Sequence, residues 1–236
     1  MVDHDALMGF HRDGYLGPFP LAATLLNSTA YNRLAETVSR QGTHARHLDS
    51  RLIFDLCTDP AVLEAVSAIL GADLLLWDSS VLIRGGNPRP TAWHQDLHRW
   101  PTALTVTAWL ALTDTHDGSG CLEVLPGSHR ALLPLARSGS WSEFEVDPAA
   151  IPDAPAFPIR MPAGHFVVLS DRVLHRSKPA AAVAKRWALA ARFTAPWVHV
   201  PYRHCILVSG EDNFGINKLE PPPANHARRR HQAPLW

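Results

Sequence analysis

The clearest strand pattern in the chain is Leu104-Thr105-Val106-Thr107-Ala108-Trp109-Leu110-Ala111-Leu112. Its residues alternate between two faces and include β-branched and aromatic side chains, which is the pattern of a β-strand. Shorter runs of the same character follow glycine- and proline-rich turns, at residues 74–77, 79–84, 121–125, 157–160, 165–170 and 186–194. Short strands joined by such turns predict a mainly β domain, an all-β barrel or jelly roll.

The residues before this region have a helical period instead. Helices are expected over residues 6–15, 22–40 and 60–70, the last with Asp59 as its N-cap and Pro60 in its first turn. We therefore expect a single domain over residues 1–236 that consists of three parts. These are a mostly helical flank (1–75) packed outside the β core, the jelly-roll core (76–200) and a C-terminal extension (201–236). Residues 134–158 are proline-rich and predict a long loop or lid.

Composition excludes several classes of protein. The chain has 236 residues, of which 46% are hydrophobic, and its 22 Lys and Arg residues balance 22 Asp and Glu residues. This balance gives no reason to expect a nucleic-acid or membrane-surface partner, and the basic cluster 228–230 reads as a solvated tail. The 3 cysteines form no C-x-x-C pair and, with no visible signal peptide, fit a reducing cytoplasm. The sequence gives no indication of an oligomeric state.

A candidate metal site lies just before the central strand, in the segment Trp93–His98. Residues i and i+2 of an extended strand point to the same side, so His94 and Asp96 can face one point in space. A second histidine from a distant strand would complete the two-histidine, one-carboxylate arrangement typical of non-haem iron(II) sites. By itself an H-x-D tripeptide favours the simpler interpretation, two solvated loop residues.

The second half of the chain supplies the missing groups. His175 follows the apolar strand 166–169, and Arg186 opens the apolar strand that comes 11 residues later. An arginine is costly to bury unless it meets an anion, and its planar guanidinium suits a carboxylate. Arg186 is therefore either the partner of a bound carboxylate, with Ser177 as a second donor, or a surface arginine paired with a nearby acid.

Three segments of the sequence resemble the corresponding segments of the phytanoyl-CoA dioxygenase family. They are Trp93–His98, Val106–Trp109 and Gly120–His129, the last ending in the specific run Leu-Pro-Gly-Ser-His. The resemblance spans roughly residues 79–195 and includes Gly164, with His175, Ser177 and Arg186 in the family's order.

That resemblance implies a fold and a set of cofactors. The fold would be a double-stranded β-helix, the metal iron(II), and the cosubstrates 2-oxoglutarate and oxygen. His94, Asp96 and His175 fall on the family's metal positions and Arg186 on its 2-oxoglutarate position. Ser177 and Trp109 fall where the family lines the cosubstrate pocket.

The resemblance also narrows the chemistry. Related halogenases replace the metal carboxylate by a small residue, so the presence of Asp96 disfavours halogenation. We expect a dioxygenase that hydroxylates or oxidatively cyclises a small molecule in bacterial secondary metabolism, with orthoester-type ring closure on a sugar-containing natural product as a specific hypothesis. The alternatives are a metal-dependent hydrolase or isomerase, and a non-catalytic ligand-binding barrel, on the same fold.

Overall fold

The structure is a computed structural model that describes residues 2–22, 28–85, 91–99, 104–136, 144–181, 185–201 and 203–224. The basic cluster 228–230 and part of the proline-rich loop, residues 137–143, lie outside these ranges. The helices are α1 (His4–Asp13), α2 (Ser28–Gln41), α3 (Arg51–Cys57), α4 (Pro60–Leu70) and α5 (Asp96–Arg99). None of the helices in the described ranges is long and apolar enough to cross a membrane.

The strands form two sheets. They are β1 (Tyr15–Pro20), β2 (Leu74–Arg84), β3 (Thr105–Ala111), β4 (Leu122–Val124), β5 (Phe157–Ile159), β6 (His165–Ser170), β7 (His175–Ser177), β8 (Arg186–Thr194), β9 (His204–Ser209) and β10 (Lys218–Leu219). The larger sheet has the order β1-β6-β3-β8-β2-β9-β10, and the smaller has the order β5-β4-β7. This is the expected mainly β, double-stranded β-helix core.

The central strand β3 is buried on both sides. Val106, Ala108 and Leu110 belong to a core that the large sheet forms with the helices, including α3 and α4. Trp109 points the other way and packs with Leu122 of the small sheet in a second core between the two sheets. The large sheet therefore carries helices on one face, and its other face is available to line an interior cavity.

Several elements coincide with the sequence prediction. α4 spans residues 60–70 with Asp59 as its N-cap, because the Asp59 carboxylate accepts from the Ala61 amide. α1 ends at Gly14, whose φ of 83° is in the left-handed region. β6 and β8 have the predicted bounds, whereas the runs 74–77 and 79–84 are one strand with an irregularity in register between Leu76 and Asp78.

Other parts of the prediction were wrong or incomplete. The N-terminal flank contains a strand, β1, which pairs with β6 at the edge of the large sheet. The described part of α2 is Ser28–Gln41, residue 22 is not helical, and residues 23–27 are outside the described ranges. β9, from the segment expected to be an extension, pairs with β2 inside the large sheet. The sheet thus takes strands from both sides of residues 76–200.

Candidate metal and cosubstrate site

Two histidines are brought together by a pair of backbone hydrogen bonds. The His94 amide donates to the His175 carbonyl at 3.1 Å, and the His175 amide donates back to the His94 carbonyl at 3.0 Å. This antiparallel bridge places the rings side by side, with centroids 4.2 Å apart. The two residues are 81 positions apart, yet strand pairing fixes their relative position.

Asp96 reaches the same point in a way the sequence did not predict. The expected extended strand through His94 and Asp96 is wrong, because Asp96 is the first residue of the short helix α5. The turn into this helix still directs the carboxylate back to the histidines. Asp96 Oδ1 lies 3.9 Å from Nε2 of His94 and 3.9 Å from Nε2 of His175. One donor atom from each residue lies within 4.8 Å of the others.

The hydrogen bonds of the two imidazole rings leave Nε2 of each ring free to bind a metal. Nδ1 of His94 lies 2.8 Å from the Ala92 carbonyl, and Nδ1 of His175 lies 2.9 Å from the Val173 carbonyl. A carbonyl oxygen can only accept, so each Nδ1 carries the hydrogen and each Nε2 has a free lone pair. Both lone pairs are on the nitrogens that face Asp96.

Electrostatics keeps these groups in the protonation states that a metal needs. Burial lowers the pKa of His94 to about 4, helped by the neighbouring His175, so the His94 ring is neutral near pH 7. Burial by itself would raise the pKa of Asp96, but Arg192 and the two histidines outweigh it and the pKa is well below its ordinary value. A neutral imidazole and an ionised carboxylate are the forms that coordinate divalent cations.

Arg186 is buried at the start of β8, where it is 1% exposed. Its Nη1 donates to the Gly120 carbonyl, and both Nη atoms lie 3.4 Å from the Ser177 hydroxyl. Neither partner carries a charge, and Nε of Arg186 has no hydrogen-bond partner within the described ranges. Burial lowers the pKa of Arg186 to about 10, so the guanidinium remains charged at neutral pH. An interior charge held by neutral groups points to an anionic ligand.

The remaining predicted residues surround this guanidinium. The Trp109 ring lies under Arg186, with the guanidinium carbon 5.2 Å from the ring centroid. Ser177 is also tied into the wall of the site, since its amide donates to the Thr91 hydroxyl at 2.8 Å. All six predicted site residues line one cavity of about 440 Å³: His94, Asp96, Trp109, His175, Ser177 and Arg186.

Sequence reasoning missed the residues that support the site. Gln95 is fully buried, and its side-chain amide bonds to the backbone at Ala131, Leu133 and Arg172. Because Gln95 lies between two of the clustered residues, these bonds fix the loops on either side of them. His98 also bonds to the backbone in this region, with Nε2 2.8 Å from the Leu133 carbonyl oxygen. A carbonyl only accepts, so Nε2 carries the hydrogen here.

Arg192 was also missed, although a signal for it exists. It follows Arg186 by six residues in the same strand, and an even separation predicts the same face. Both arginines line the cavity, together with Thr107 of the neighbouring strand. Arg192 donates to Oδ2 of Asp96 at 3.4 Å, so it contacts the metal-site carboxylate directly.

With this geometry established, comparison with known proteins gives the family. The family model for phytanoyl-CoA dioxygenase (PhyH) matches residues 10–186, which is most of the chain. The chain belongs to the phytanoyl-CoA dioxygenase family. The family expected from the sequence is therefore confirmed.

The individual relatives are distant. An ectoine dioxygenase of Streptomyces anulatus is 28% identical over 155 residues, which are 55% of this chain and 52% of that protein. The peroxisomal phytanoyl-CoA dioxygenase of Mus musculus is 26% identical over 176 residues, 70% of this chain and 51% of that protein. The chain thus spans about half the length of these curated relatives.

The likeness to solved structures extends over more of the chain. The apo structure of the non-heme monooxygenase ThoJ superposes with a TM-score of 0.76 at 26% identity, and the match covers 92% of this chain and 88% of that one. A second structure, CytC3, gives a TM-score of 0.70 at 23% identity and supports the fold alone. The double-stranded β-helix predicted from the sequence is confirmed.

Proposed function

We propose that this PhyH-family protein is an Fe(II)- and 2-oxoglutarate-dependent oxygenase that acts on a small molecule, with iron held by His94, Asp96 and His175. The observation that carries the proposal is the pairing of two features in one cavity. A cluster of two imidazoles and one carboxylate shares that cavity with the buried guanidinium of Arg186, whose described partners are neutral. An enzyme that uses iron alone needs the first feature, and one that uses 2-oxoglutarate needs both.

The three proposed ligands suit iron(II) in number and in kind. Two imidazole nitrogens and one carboxylate oxygen form the donor set of non-haem iron(II) oxygenases, which leaves other positions of the ion open. His94 and His175 would bind through Nε2, because Nδ1 of each donates to a backbone carbonyl. Asp96 would bind through Oδ1, because this oxygen faces both rings.

Arg186 is proposed to hold the far carboxylate of 2-oxoglutarate. Its guanidinium offers a planar set of N–H donors that match a carboxylate in pairs. Ser177 would add a hydroxyl donor to the same carboxylate, since it already lies 3.4 Å from both Nη atoms. Trp109 would fix the plane of the guanidinium from below. These three residues therefore orient the cosubstrate from the end opposite the metal ligands.

Iron, 2-oxoglutarate and oxygen together supply the oxidising power to break an unactivated C–H bond of the substrate. The chain's own contribution is orientation and the exclusion of water. Leu122 and Leu169 are among the lining residues and add apolar surface to the cavity wall. Asp96 would supply the third protein ligand, so the site lacks the extra vacancy that a halogenase uses to bind chloride.

The substrate is proposed to be a small molecule from bacterial secondary metabolism, either hydroxylated or closed into a ring. A cavity of about 440 Å³ has to hold both 2-oxoglutarate and the reacting part of the substrate. Its remaining lining mixes hydroxyl and imidazole groups, from Thr43 and His44, with the aromatic ring of Phe144. Such a lining suits a hydroxylated compound, and orthoester-type ring closure on a sugar-containing product is the narrower form of the proposal.

The decisive experiment is anaerobic titration of the iron(II)-loaded protein with 2-oxoglutarate, followed by the weak visible charge-transfer band. The parent protein should develop the band. Arg186→Ala should need at least about 30-fold more 2-oxoglutarate, since loss of one partner of a buried charge pair costs about 2 kcal/mol or more. Arg160→Ala is the matched control, because Arg160 lies on the surface with its side chain 57% exposed.

Two outcomes would contradict the proposal. The first is a parent protein that shows no band at any 2-oxoglutarate concentration. The second is turnover of a substrate that persists without oxygen and 2-oxoglutarate, which would favour a metal-dependent hydrolase or isomerase on the same fold. A hydrolase would also leave Arg186 without a role, so the Arg186→Ala variant distinguishes the two enzyme classes.

A further inference from the structure

The two oxygens of the Asp96 carboxylate have different surroundings. Oδ1 faces both histidines at 3.9 Å. Oδ2 accepts a hydrogen bond from the Thr107 hydroxyl at 3.2 Å and another from Nη2 of Arg192 at 3.4 Å. Asp96 is 7% exposed, and these two donors hold the oxygen that faces away from the histidines.

The donors are placed by the register of the large sheet. Arg192 is the direct cross-strand neighbour of Asp78 in β2 and of Thr107 in β3. Three side chains on three adjacent strands therefore lie in one row beneath Asp96. Cross-strand neighbours in a sheet have Cβ atoms about 5 Å apart, so a single guanidinium can contact both sides of the row.

The other end of Arg192 is fixed by a second buried acid. Nη1 of Arg192 donates to Oδ2 of Asp78 at 2.9 Å, and Asp78 is 1% exposed. Arg203 approaches the remaining oxygen of Asp78 at 3.7 Å. Charges thus alternate along the series Arg203, Asp78, Arg192 and Asp96. Because Arg192 is anchored to Asp78, its Nη2 is held in a fixed position for Asp96.

We propose that Arg192 is a positioning residue which, with Thr107, clamps one oxygen of Asp96 so that the other oxygen is presented to the metal. This inference rests on the proposed function, since it assumes a metal at His94, Asp96 and His175. The clamp limits rotation of the carboxylate and favours binding through one oxygen. Partners of this kind, outside the ligands themselves, typically change metal affinity by about 10- to 100-fold when they are removed.

A purely structural role for Arg192 is the competing interpretation. In that case Arg192 serves only to neutralise Asp78, and its contact with Asp96 has no effect on the metal. Removal of the positive charge would not distinguish the two roles of Arg192. Loss of a cation near the site also removes Coulomb repulsion of the metal ion and so favours metal binding. The test therefore has to keep the charge and change only the geometry.

Arg192→Lys meets that requirement. Lysine keeps the positive charge but is a single point donor, and it cannot contact Asp78 and Asp96 in the manner of a fork. The matched control is Arg203→Lys, because Arg203 belongs to the same series of charges, contacts Asp78 and is one step further from the metal ligands. Both variants leave the net charge unchanged.

The measurement is anaerobic binding of cobalt(II) to the full chain, read by the intensity and position of its visible d–d absorption. We expect Arg192→Lys to bind cobalt(II) about 10- to 100-fold more weakly than the parent and to give an altered spectrum, while Arg203→Lys matches the parent. Equal affinity and an unchanged spectrum in folded Arg192→Lys would overturn the clamp.

A second variant keeps the test decisive if Arg192→Lys does not fold. Thr107→Val removes the other donor to Oδ2 at nearly constant volume, and Thr107→Ser keeps the hydroxyl. We expect weaker cobalt(II) binding in Thr107→Val and near-parent binding in Thr107→Ser; parent-like binding in Thr107→Val would reject the clamp. A parent protein that does not bind cobalt(II) or iron(II) would instead refute the metal site itself, so the two failures are distinguishable.

Discussion

Gly120 holds the carbonyl that receives Arg186, and its backbone suits only glycine. Its φ is 71°, and a Cβ placed there would lie 2.7 Å from the Lys178 carbonyl oxygen. Any side chain would therefore force the turn to move and shift the acceptor of Arg186. Replacement of Gly120 should disturb this contact, because both the left-handed conformation and the close approach of the Lys178 carbonyl disfavour a side chain.

Gly120→Ala should therefore destabilise the protein by about 1–3 kcal/mol and weaken 2-oxoglutarate binding. Gly118→Ala is the control in the same turn, since Gly118 has no positive φ and its Cβ would meet only the His116 ring, at 3.3 Å. Thermal unfolding and the charge-transfer titration measure the two effects. Equal behaviour of the two alanine variants would refute the role given to Gly120.

The single residues of the site were predictable to different degrees. The sequence predicted that His94, Asp96, His175 and Arg186 would converge, and the structure brings them to one cavity. Arg192 was not predicted, because its role depends on the cross-strand register of three strands. Such a register follows from pairing and not from local pattern.

Among the helices and strands, α4 shows that a local sequence signal can determine where an element begins. Its start is set by Asp59, whose Oδ1 accepts from the Ala61 amide at 3.0 Å and from the Ala22 amide at 2.9 Å. One carboxylate thus caps the helix and ties it to the chain segment after β1. The helix packs its buried residues Val62 and Val66 on the large sheet, so the cap stabilises one side of the core.

Asp59→Ala should lower the free energy of unfolding by about 1–2 kcal/mol, since it removes an N-cap and leaves a second amide without this partner. Asp59→Asn is the conservative control, because the amide oxygen can still accept, and it should retain most of the stability. Urea unfolding measures both variants. The interpretation fails if Asp59→Asn loses as much stability as Asp59→Ala.

Elements with a weak local signal were not predictable. β1 contains Gly17, Pro18 and Pro20, which are unfavourable in strands, and it becomes one by pairing with β6 at the sheet edge. β7 has 3 residues, too few to show a period, and it forms because β4 offers a partner. The turn at Asp96 likewise depends on contacts of Gln95 with distant backbone. Long strands and capped helices can be predicted from their own sequence, whereas these elements form because of contacts with residues distant in the chain.

At the scale of the whole molecule, the interior contains more charge than a neutral composition suggests. The formal net charge is zero, but Asp78, Asp96, Asp171 and Arg186 are buried, and the Arg192 side chain is only 11% exposed. In the series beneath the metal site, the charges of Asp78 and Asp96 are balanced by Arg192 and Arg203. Asp171 lies apart from that series, and its carboxylate contacts the hydroxyls of Thr105 and Ser170, at 3.4 Å in each case.

Asp171 should therefore make stability depend on pH. Burial raises its pKa to about 6; Arg172 and the bonds to Thr105 lower it in part, and the charge of Asp96 raises it further. A raised pKa means that the folded state binds the proton more tightly than the unfolded state. The folded protein is thus favoured while Asp171 is protonated. This advantage declines as the pH rises from about 4, the ordinary value for aspartate, to about 6.

Asp171→Asn should remove this dependence, because the amide is neutral at every pH. Relative to the parent, the variant should gain stability as the pH rises from about 4 to about 6 and reach a plateau above that, with a total of at most about 3 kcal/mol for the two-unit shift. Urea unfolding of both proteins at pH 4, 5, 6 and 7, with the proteins free of metal, measures this difference in the free energy of unfolding. It should change by ~1.4 kcal/mol for each pH unit between the two pKa values. A difference between the two proteins that is constant over this range would show that Asp171 does not titrate as its burial requires.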